Sequence, residues 1–450
     1  MKHRAVLAVA GLTTALALVV LLTIASVGSA RTTGPDGSTA ATISAPPVAN
    51  ASAIRAKYGG QQITFVGDAA VGSSHTRDQM LTAQFTKSTG IKVKLVPHPS
   101  DSSAAYSQLA RNFSAKSSAI DVMMLDVVWP GAFGPYLVDL KTALAKEVKA
   151  QSKGIILNDT VNGRLVAMPW FGDFGILYYR TDLLQKYGYS GPPKTWAELG
   201  VMAKKIQDGE RASNPDFSGY VYQGNAYEGL TCDALEWLAS SGGGQFIDGG
   251  KVTIDNPKAA AALNLQRSWV GTITPRGVTS YQEEDARNAF DAGNAAFMRN
   301  WPYAYSASQT TPVKGKFDVT VLPHTGTNPS VGTVGGWQLG VSKYSKHIGA
   351  AIEFVRYMTG AAVERFDAIF NSNVPTIPAV AALPAVVAAN PYLKPEIANV
   401  TRVTRPARYL GTHYAQGSQA IYQGINQILN GQDANSVLPS IAQQLNRLVK

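Results

Sequence analysis

Two aspartates stand where apolar runs of this chain end. Asp126 closes the run VMMLD, and Asp173 closes MPWFGD. Open α/β sheets bind ligands at the carboxyl ends of their strands, so both carboxylates are candidates for polar ligand contacts. Taken singly, an aspartate at such a place more often caps a helix or forms a turn. Their position therefore favours a role in ligand binding but does not establish one.

Sequence signatures of catalysis and of metal binding are absent. The chain contains no HExxH, no GxSxG and no Gly-rich phosphate loop. The six histidines are dispersed, and the single cysteine, Cys232, stands between a threonine and an aspartate. That arrangement does not resemble a metal-ligand spacing. We therefore expect no cofactor and no metal.

Length and composition indicate a soluble protein of more than one lobe. The chain has 450 residues, of which 45% are apolar and 16% charged, and its net charge is +10. A chain of this length exceeds what one compact core holds. The basic residues are scattered without an arginine-rich run, which argues against a nucleic-acid partner. An anionic wall or membrane surface is an equally good electrostatic partner for such a charge.

The N-terminus has the pattern of an export signal. Residues 2–4 (Lys-His-Arg) precede an uncharged apolar run over 5–27, and small residues follow at 28–30. The pattern predicts cleavage after Ala30. The run of about 23 residues also suffices to span a bilayer core of roughly 30 Å, so an uncleaved membrane anchor stays open. No cysteine follows the signal, which excludes anchoring by cysteine acylation.

A flexible linker is predicted over residues 31–60, because this stretch is rich in Thr, Ala, Ser, Gly and Pro and lacks helical or strand periodicity. Beyond it the chain alternates strand and helix patterns. Strands are predicted at 63–66, 91–95 and 121–128, and helices at 75–88, from a Thr195–Glu198 capping box to Gly209, from Pro257, and over 345–360. Such alternation predicts α/β lobes with mostly parallel sheets flanked by helices.

Six stretches, in chain order, match one known pattern. They are IDVMMLDVVW at 120–129, the run LYYRTDLLQKYG…QGNAYEG at 177–229, GNAAFMRNWPYAYS at 293–306, PVKGKFDVTVLPH at 312–324, GGWQLGVSKYS at 335–345 and TRPARY at 404–409. Together they resemble family 1 extracellular solute-binding proteins of ABC importers, and within that family the trehalose/maltose-binding receptors. The resemblance extends from about residue 61 to 450.

The resemblance implies a two-lobed, type II periplasmic-binding-protein-like fold with hinge strands between the lobes. Crossings between lobes are expected near 164–167, 321–324 and 373–375. The implied divisions are 1–30 as signal peptide or membrane anchor, 31–60 as linker, 61–166 and 323–373 as lobe 1, and 167–322 and 374–450 as lobe 2.

The resemblance also implies a sugar site in the cleft. A sugar has flat C–H faces that stack on aromatic rings, and a rim of hydroxyls that bind carboxylates and charged donors. The matching positions supply stacking rings, carboxylates, a glycine that lets a sugar approach the backbone, and a cationic donor: Trp301 and Trp337, Asp126, Asp173 and Glu283, Gly336, and Arg405. Taken singly, each tryptophan is equally a core residue and the arginine a solvated one.

Two first-lobe positions depart from the family. A glutamate is common just after the first strand, where residues 71–76 read VGSSHT, and an arginine after the second, where 101–106 read DSSAAY. We therefore expect two charged contacts to be absent, with Ser74, His75 or Tyr106 as substitutes. This weakens the transfer of trehalose or maltose as the specific ligand.

The implied function is capture of an oligosaccharide, an α-linked disaccharide such as trehalose or maltose, and its delivery to ABC permease subunits. The chain is expected to be exported, monomeric and without enzymatic activity. Two alternatives stay open: a hydrolase that uses Asp173 and Glu283 as its carboxylate pair, and a sugar sensor instead of an importer component. An importer component and a sugar sensor would both close the same cleft on the ligand.

Overall fold

The computed structural model describes residues 44–69 and 72–449, so the predicted export signal and residues 31–43 lie outside the described residues. The strands are β1 Gln62–Gly67, β2 Lys92–Pro97, β3 Val122–Asp126, β4 Thr160–Val161, β5 Arg164–Leu165, β6 Met168–Phe174, β7 Ile176–Arg180, β8 Ser218–Val221, β9 Ile247–Asp248, β10 Lys251–Val252, β11 Ala295–Asn300, β12 Phe317–Thr320, β13 Val331–Val341 and β14 Thr401–Val403.

The α-helices are α1 Ala51–Tyr58, α2 Gly72–Thr89, α3 Ser102–Ser114, α4 Pro130–Phe133, α5 Ala145–Val148, α6 Lys153–Asn158, α7 Thr181–Lys186, α8 Trp196–Glu210, α9 Glu228–Ser240, α10 Pro257–Trp269, α11 Glu283–Asp291, α12 Ala304–Ser308, α13 Ile348–Met358, α14 Ala361–Asn371, α15 Pro378–Ala381, α16 Pro384–Ala389, α17 Pro395–Ala398, α18 Ala407–Leu410, α19 Tyr414–Leu429 and α20 Ala434–Asn446. Within the part of the chain that the structure describes, no helix is long and apolar enough to cross a membrane.

Two sheets with helices on their faces form the two lobes of a periplasmic-binding-protein-like fold. The first sheet has the order β14-β13-β3-β1-β2, with β6 also paired to β13. The second has the order β12-β7-β11-β8. Apolar side chains from the strands pack against α2 and α13 in the first lobe and against α8 and α9 in the second. This burial is the main stabilising contribution to each lobe.

Both sheets mix parallel and antiparallel pairs, whereas the strand–helix alternation predicts mostly parallel sheets. β1 pairs in parallel with β2 and β3, but β13 runs antiparallel to both β3 and β6. In the second sheet β11 is parallel to β8 and antiparallel to β7. The difference arises because β13 returns from the other lobe, so its direction is not set by a local strand–helix–strand unit.

The chain passes from the first sheet to the second at Gly175, between β6 and β7. This lies beyond the predicted crossing at 164–167, because residues 168–174 still pair with β13. The return passage lies between β12 and β13 and includes residues 321–324. β14 also joins the first sheet, although 374–450 were assigned to lobe 2. The lobe boundaries as a whole stay a prediction.

The predicted linker 31–60 ends earlier than expected. Residues 51–58 form α1, and Val48 and Ile54 are buried in the core of the first lobe. A short helix is stable here because it packs against α2 and α13. Other local predictions are confirmed: Thr195 and Glu198 form the capping box of α8, and α10 begins at Pro257.

Candidate ligand-binding site

A cavity of about 290 Å³ lies at the carboxyl ends of β1, β2 and β3. Its opposite wall comes from the start of α11 and the segment after β11, so both lobes line it. All seven predicted contact residues line this cavity: Asp126, Asp173, Glu283, Trp301, Gly336, Trp337 and Arg405. The fold thus brings together side chains that lie up to 279 positions apart in the sequence. Their binding role stays a prediction.

A buried ion triad closes one end of the cavity. Both Nη atoms of Arg405 donate to Asp126, at 2.7 and 3.1 Å, and Nη1 also donates to Glu228 at 2.7 Å. Glu228 accepts further hydrogen bonds from Tyr414 and Ser418 on α19. Burial raises the pKa of Glu228, and the Arg405 charge offsets part of that rise. Since Asp126 ends β3 and Glu228 begins α9, Arg405 links the first sheet to the helices behind the cavity.

Trp301 forms an aromatic wall that is fixed from behind. The guanidinium of buried Arg299 lies 3.9 Å from the centre of its ring, and the indole Nε1 donates to Glu283 at 3.3 Å. Arg299 is itself held by buried Asp233 and Glu236 at 3.0 and 2.6 Å. The ring is half-buried, which leaves part of it free toward the cavity. Such preorganisation reduces the entropy lost when a ligand stacks on the ring.

The glycine pair before Trp337 permits close packing at this wall. A Cβ on Gly335 would lie 3.0 Å from the Trp301 ring and 3.1 Å from Cβ of Asp173. Gly336 has a φ of +116°, and a Cβ there would lie 2.7 Å from the Phe171 carbonyl oxygen. Gly336 therefore requires glycine to hold β13 against β6, whereas a side chain at position 335 would have to displace the Trp301 ring or Asp173.

Trp337 forms a second, partly exposed aromatic wall. The imidazole of His98 stacks on it, with centroids 5.2 Å apart and an interplanar angle of 26°. Trp129 packs edge-on against the same ring at 5.6 Å. The position of Trp337 is thus fixed by neighbours from the ends of β2 and β3.

Three buried polar atoms on the cavity-lining side chains have no hydrogen-bond partner among the described residues. They are Oδ1 of Asp173, Nε of Arg405 and Nε2 of His98. Buried polar groups in native proteins are nearly always paired, so these three atoms are exceptions at the wall of the cavity. The cavity therefore combines two aromatic walls with unsatisfied hydrogen-bonding groups.

The first lobe contributes polar groups that the sequence reasoning missed. Asp68, directly after β1, and His98, directly after β2, both line the cavity. Both residues lie outside 71–76 and 101–106, so the expected absence of two charged contacts at those positions stays a prediction. Ser74 lines the cavity as well, whereas His75 lies in a separate groove with Gln79. Tyr106, the other proposed substitute, stacks on a core ring instead.

Asp68 and His98 share one sequence feature with Asp126. Each follows the carboxyl end of a parallel strand, the same rule that identified Asp126. Asp68 is held by buried Arg77 at 3.2 Å and lies 3.8 Å from His98. The same rule, applied to every predicted strand, would have found both residues.

Replacing Asp173 by asparagine should stabilise the empty protein near neutral pH. Burial, with a smaller contribution from Asp68, raises the pKa of Asp173 well above its usual value. A raised folded-state pKa means that stability is lost as the pH rises and the buried carboxylate ionises. The gain in melting temperature of Asp173→Asn should thus be largest near about pH 7 and shrink below about pH 4.

Calorimetric melting across this pH range tests the expectation. Exposed Asp216→Asn is the matched control, because this aspartate lies on the surface and should shift the melting temperature little at any pH. Equal shifts in both variants, or no gain in Asp173→Asn, would contradict the reading of an unpaired buried carboxylate. The same substitution should weaken ligand binding, since an amide oxygen accepts hydrogen bonds less strongly than a carboxylate.

No group of three or more side chains suited to a metal ion occurs among residues 44–69 and 72–449.

The family described as bacterial extracellular solute-binding protein matches residues 72–365. This is more than half of the 450-residue chain, and the chain belongs to this family. Because this family is extracellular, the chain is an exported protein that acts outside the cytoplasm. The family and the similar structures are binding proteins, not enzymes.

Individual relatives cover almost the whole chain. A probable ABC transporter-binding protein of Deinococcus radiodurans is 47% identical over 392 residues, which are 86% of this chain and 93% of that protein. Maltose-bound MalE3 of T. maritima has a TM-score of 0.80 and 37% identity, covering 87% of this chain and all of that one. The GacH receptor of Streptomyces glaucescens, solved unliganded and with acarbose, has a TM-score of 0.75 and 25% identity over 86% and 98% of the two chains.

Proposed function

We propose that this chain captures an α-linked disaccharide, such as maltose or trehalose, and delivers it to the permease of an ABC importer. The observation that carries the proposal is the cavity itself. Two partly exposed tryptophan rings line it beside one carboxylate oxygen of Asp173 and the Nε of Arg405, and neither of these atoms has a hydrogen-bond partner among the described residues. Pyranose rings present flat C–H faces to such rings and hydroxyls to such groups.

The size of the cavity supports a small saccharide. Its volume of about 290 Å³ is at the lower end of the range for small-molecule sites. Trp301 and Trp337 are separate walls, so each can face a different ring of one ligand. A disaccharide meets both conditions.

The relatives support the same ligand class. One similar structure contains maltose and another was solved with acarbose. A maltodextrin-binding protein of Bacillus subtilis is 23% identical over 249 residues. Other similar structures were solved with α-D-tagatose, ribitol and D-mannitol, so an α-linked glucoside is our choice within a varied set of ligands.

The two aromatic walls, Trp301 and Trp337, lie in different lobes, and this placement explains how the protein captures a ligand. Glu283 and Trp301 belong to segments beside the second sheet, whereas Asp68, His98 and Asp126 end strands of the first. A sugar held by both sets stabilises the closed cleft, and the closed monomer is the form that the permease reads.

A receptor fits the site better than a hydrolase. Both carboxylate oxygens of Glu283 already accept hydrogen bonds, one from Tyr227 at 2.6 Å and one from Trp301 at 3.3 Å. A general acid or nucleophile must face the scissile bond instead. In this structure Glu283 fixes the aromatic wall instead of facing the cavity as half of a catalytic carboxylate pair with Asp173.

A thermal-shift screen against mono- and disaccharides tests the proposal. At 100 times its dissociation constant, the cognate sugar should add about 2.7 kcal/mol to the free energy of unfolding and raise the melting temperature. We expect maltose or trehalose to give the largest shift, and the same mixtures to release no monosaccharide over hours. A larger shift with polyols than with any disaccharide, or steady sugar release, would contradict the proposal.

A further inference from the structure

The first lobe has an edge that lies opposite the cavity. β1, β2 and β3 run in parallel toward the cavity, so their starts lie at the far side, together with the ends of α2, α3 and the antiparallel β13. We call this the basal edge, formed by residues 55–62, 87–94, 111–121 and 341–347. The six residues of β1 separate it from the cavity by about 20 Å at the usual rise per residue.

The basal edge is rich in exposed cations. They are Arg55, Lys57, Lys87, Lys92, Lys94, Arg111, Lys116, Lys343 and Lys346. The two nearby acids are already engaged. Asp121 is buried and accepts from the Thr64 amide and from Ser345, and Glu353 is bound by Arg356 at 3.0 Å. The nine cations of this edge therefore outnumber the two neighbouring carboxylates.

This edge accounts for the net charge of the folded body. The whole chain carries +10, and residues 1–43 contribute three basic residues and one acid, or +2, which leaves +8 for residues 44–450. Nine exposed cations lie on the basal edge, so the remainder of the body is close to neutral. Between residues 44 and 97 the two acids are Asp68 and Asp78, and both are bound by buried Arg77 near the cavity.

The first described residues of the chain lie near the same edge. The Pro46 carbonyl oxygen accepts from the Tyr357 hydroxyl at 3.0 Å, and the Tyr357 ring lies 5.6 Å from Phe85. Phe85 is two residues before Lys87 on α2, and α1 itself carries Arg55. The first described residues therefore lie near the cations of α1 and α2.

We propose that the basal edge rests on the anionic phospholipid headgroups of the membrane across which the chain is exported. Clustered Lys and Arg side chains are attracted to anionic lipid within a Debye length of the surface. Lysines on an edge strand also prevent sheet-to-sheet aggregation, but that role explains Lys92 and Lys94 only. The cleft then faces away from the lipid, toward arriving solute, and the contact is weak enough to release the receptor.

Lysine acetylation on vesicles tests the proposal with the chain as purified from the cell envelope. The vesicles are neutral phosphatidylcholine, or phosphatidylcholine with roughly one-third phosphatidylglycerol. One variant combines Lys87→Glu, Lys92→Glu and Lys94→Glu. The matched control combines Lys204→Glu, Lys258→Glu and Lys394→Glu, three exposed lysines away from the basal edge with the same change in net charge.

We expect acetylation of Lys57, Lys87 and Lys92 to slow about threefold or more on anionic vesicles only, and to recover in about 0.5 M salt. The basal variant should lose this protection at the remaining basal lysines, and the control variant should keep it. Equal rates on both vesicles, or equal loss in both variants, would overturn the proposal. Protection by soluble poly(glycerol phosphate) but not by vesicles would assign the edge to a wall polymer instead and would likewise overturn it.

Discussion

Replacing Arg405 by alanine should lower the free energy of unfolding of the empty protein by about 3–5 kcal/mol, because it breaks a buried ion triad. The Arg405 side chain is 2% exposed and bridges Asp126 and Glu228, whose carboxylates would be left buried without their cation. Truncating one partner costs more than the pair itself contributes, since the remaining charges have lost their solvation as well.

Chemical denaturation of the Arg405→Ala variant measures this effect. Arg408→Ala is the matched control, because Arg408 is exposed on α18 three residues away and should change the free energy by less than about 0.5 kcal/mol. If Arg405→Ala unfolds like the control, the triad does not hold the first sheet to α9. The residue would then be a free ligand donor, as its place in the sequence pattern implies.

Replacing Trp301 by alanine should weaken disaccharide binding about tenfold to a hundredfold. Loss of a stacking ring at the centre of a site costs about 1–3 kcal/mol, which corresponds to that range of affinity. Trp301 is held by Arg299 and Glu283, so its ring reaches the ligand with little loss of side-chain entropy.

The control for this prediction is Trp301→Phe, which keeps a flat apolar ring but removes the Nε1 hydrogen bond to Glu283. We expect its affinity to lie between those of the parent and Trp301→Ala. Melting of each empty variant shows whether it is folded at the titration temperature. An alanine variant that binds as tightly as the parent would show that the ligand does not stack on this ring.

The lobe architecture and most candidate site residues could be predicted from the sequence because six stretches in chain order resemble one family, whereas the strand-end rule alone indicated only Asp126 and Asp173. A strand that ends in Asp126 and the run Gly335-Gly336-Trp337 each predict a residue beside the cleft in any two-lobed fold of this kind. The capping box at Thr195 is likewise complete within four residues. Seven separate positions converge on one cavity: Asp126, Glu283, Trp301 and Arg405 lie at or just beyond the end of an element, Asp173 lies near the end of β6, and Gly336 and Trp337 lie in the middle of β13.

The pairing of charges could not be predicted in this way. Arg405 meets Asp126 across 279 positions and Glu228 across 177, and nothing in the neighbouring sequence indicates either contact. Arg405 is buried and pairs with two carboxylates, and its Nε has no hydrogen-bond partner among the described residues, so its expected role as a ligand donor stays a prediction. The direction of β13 is a similar case, since it depends on where the chain returns and not on its own residues.

The clustering of cations on the basal edge could not be predicted from the sequence either. In the sequence its cations are spread from Arg55 to Lys346 and form no run. The fold gathers them because the starts of parallel strands and the ends of the preceding helices lie at one side of a sheet. A scattered basic composition therefore became a single charged surface only in three dimensions.

Calorimetric titration with maltose and trehalose tests the central claim most directly, that this cavity binds an α-linked disaccharide. The measurement compares the parent chain with a variant that carries both Trp301→Ala and Trp337→Ala. We predict one-to-one, saturable binding of at least one of the two sugars to the parent and no measurable binding to the double variant. Binding of neither sugar to a folded parent, or equal affinity in the double variant, would contradict the account.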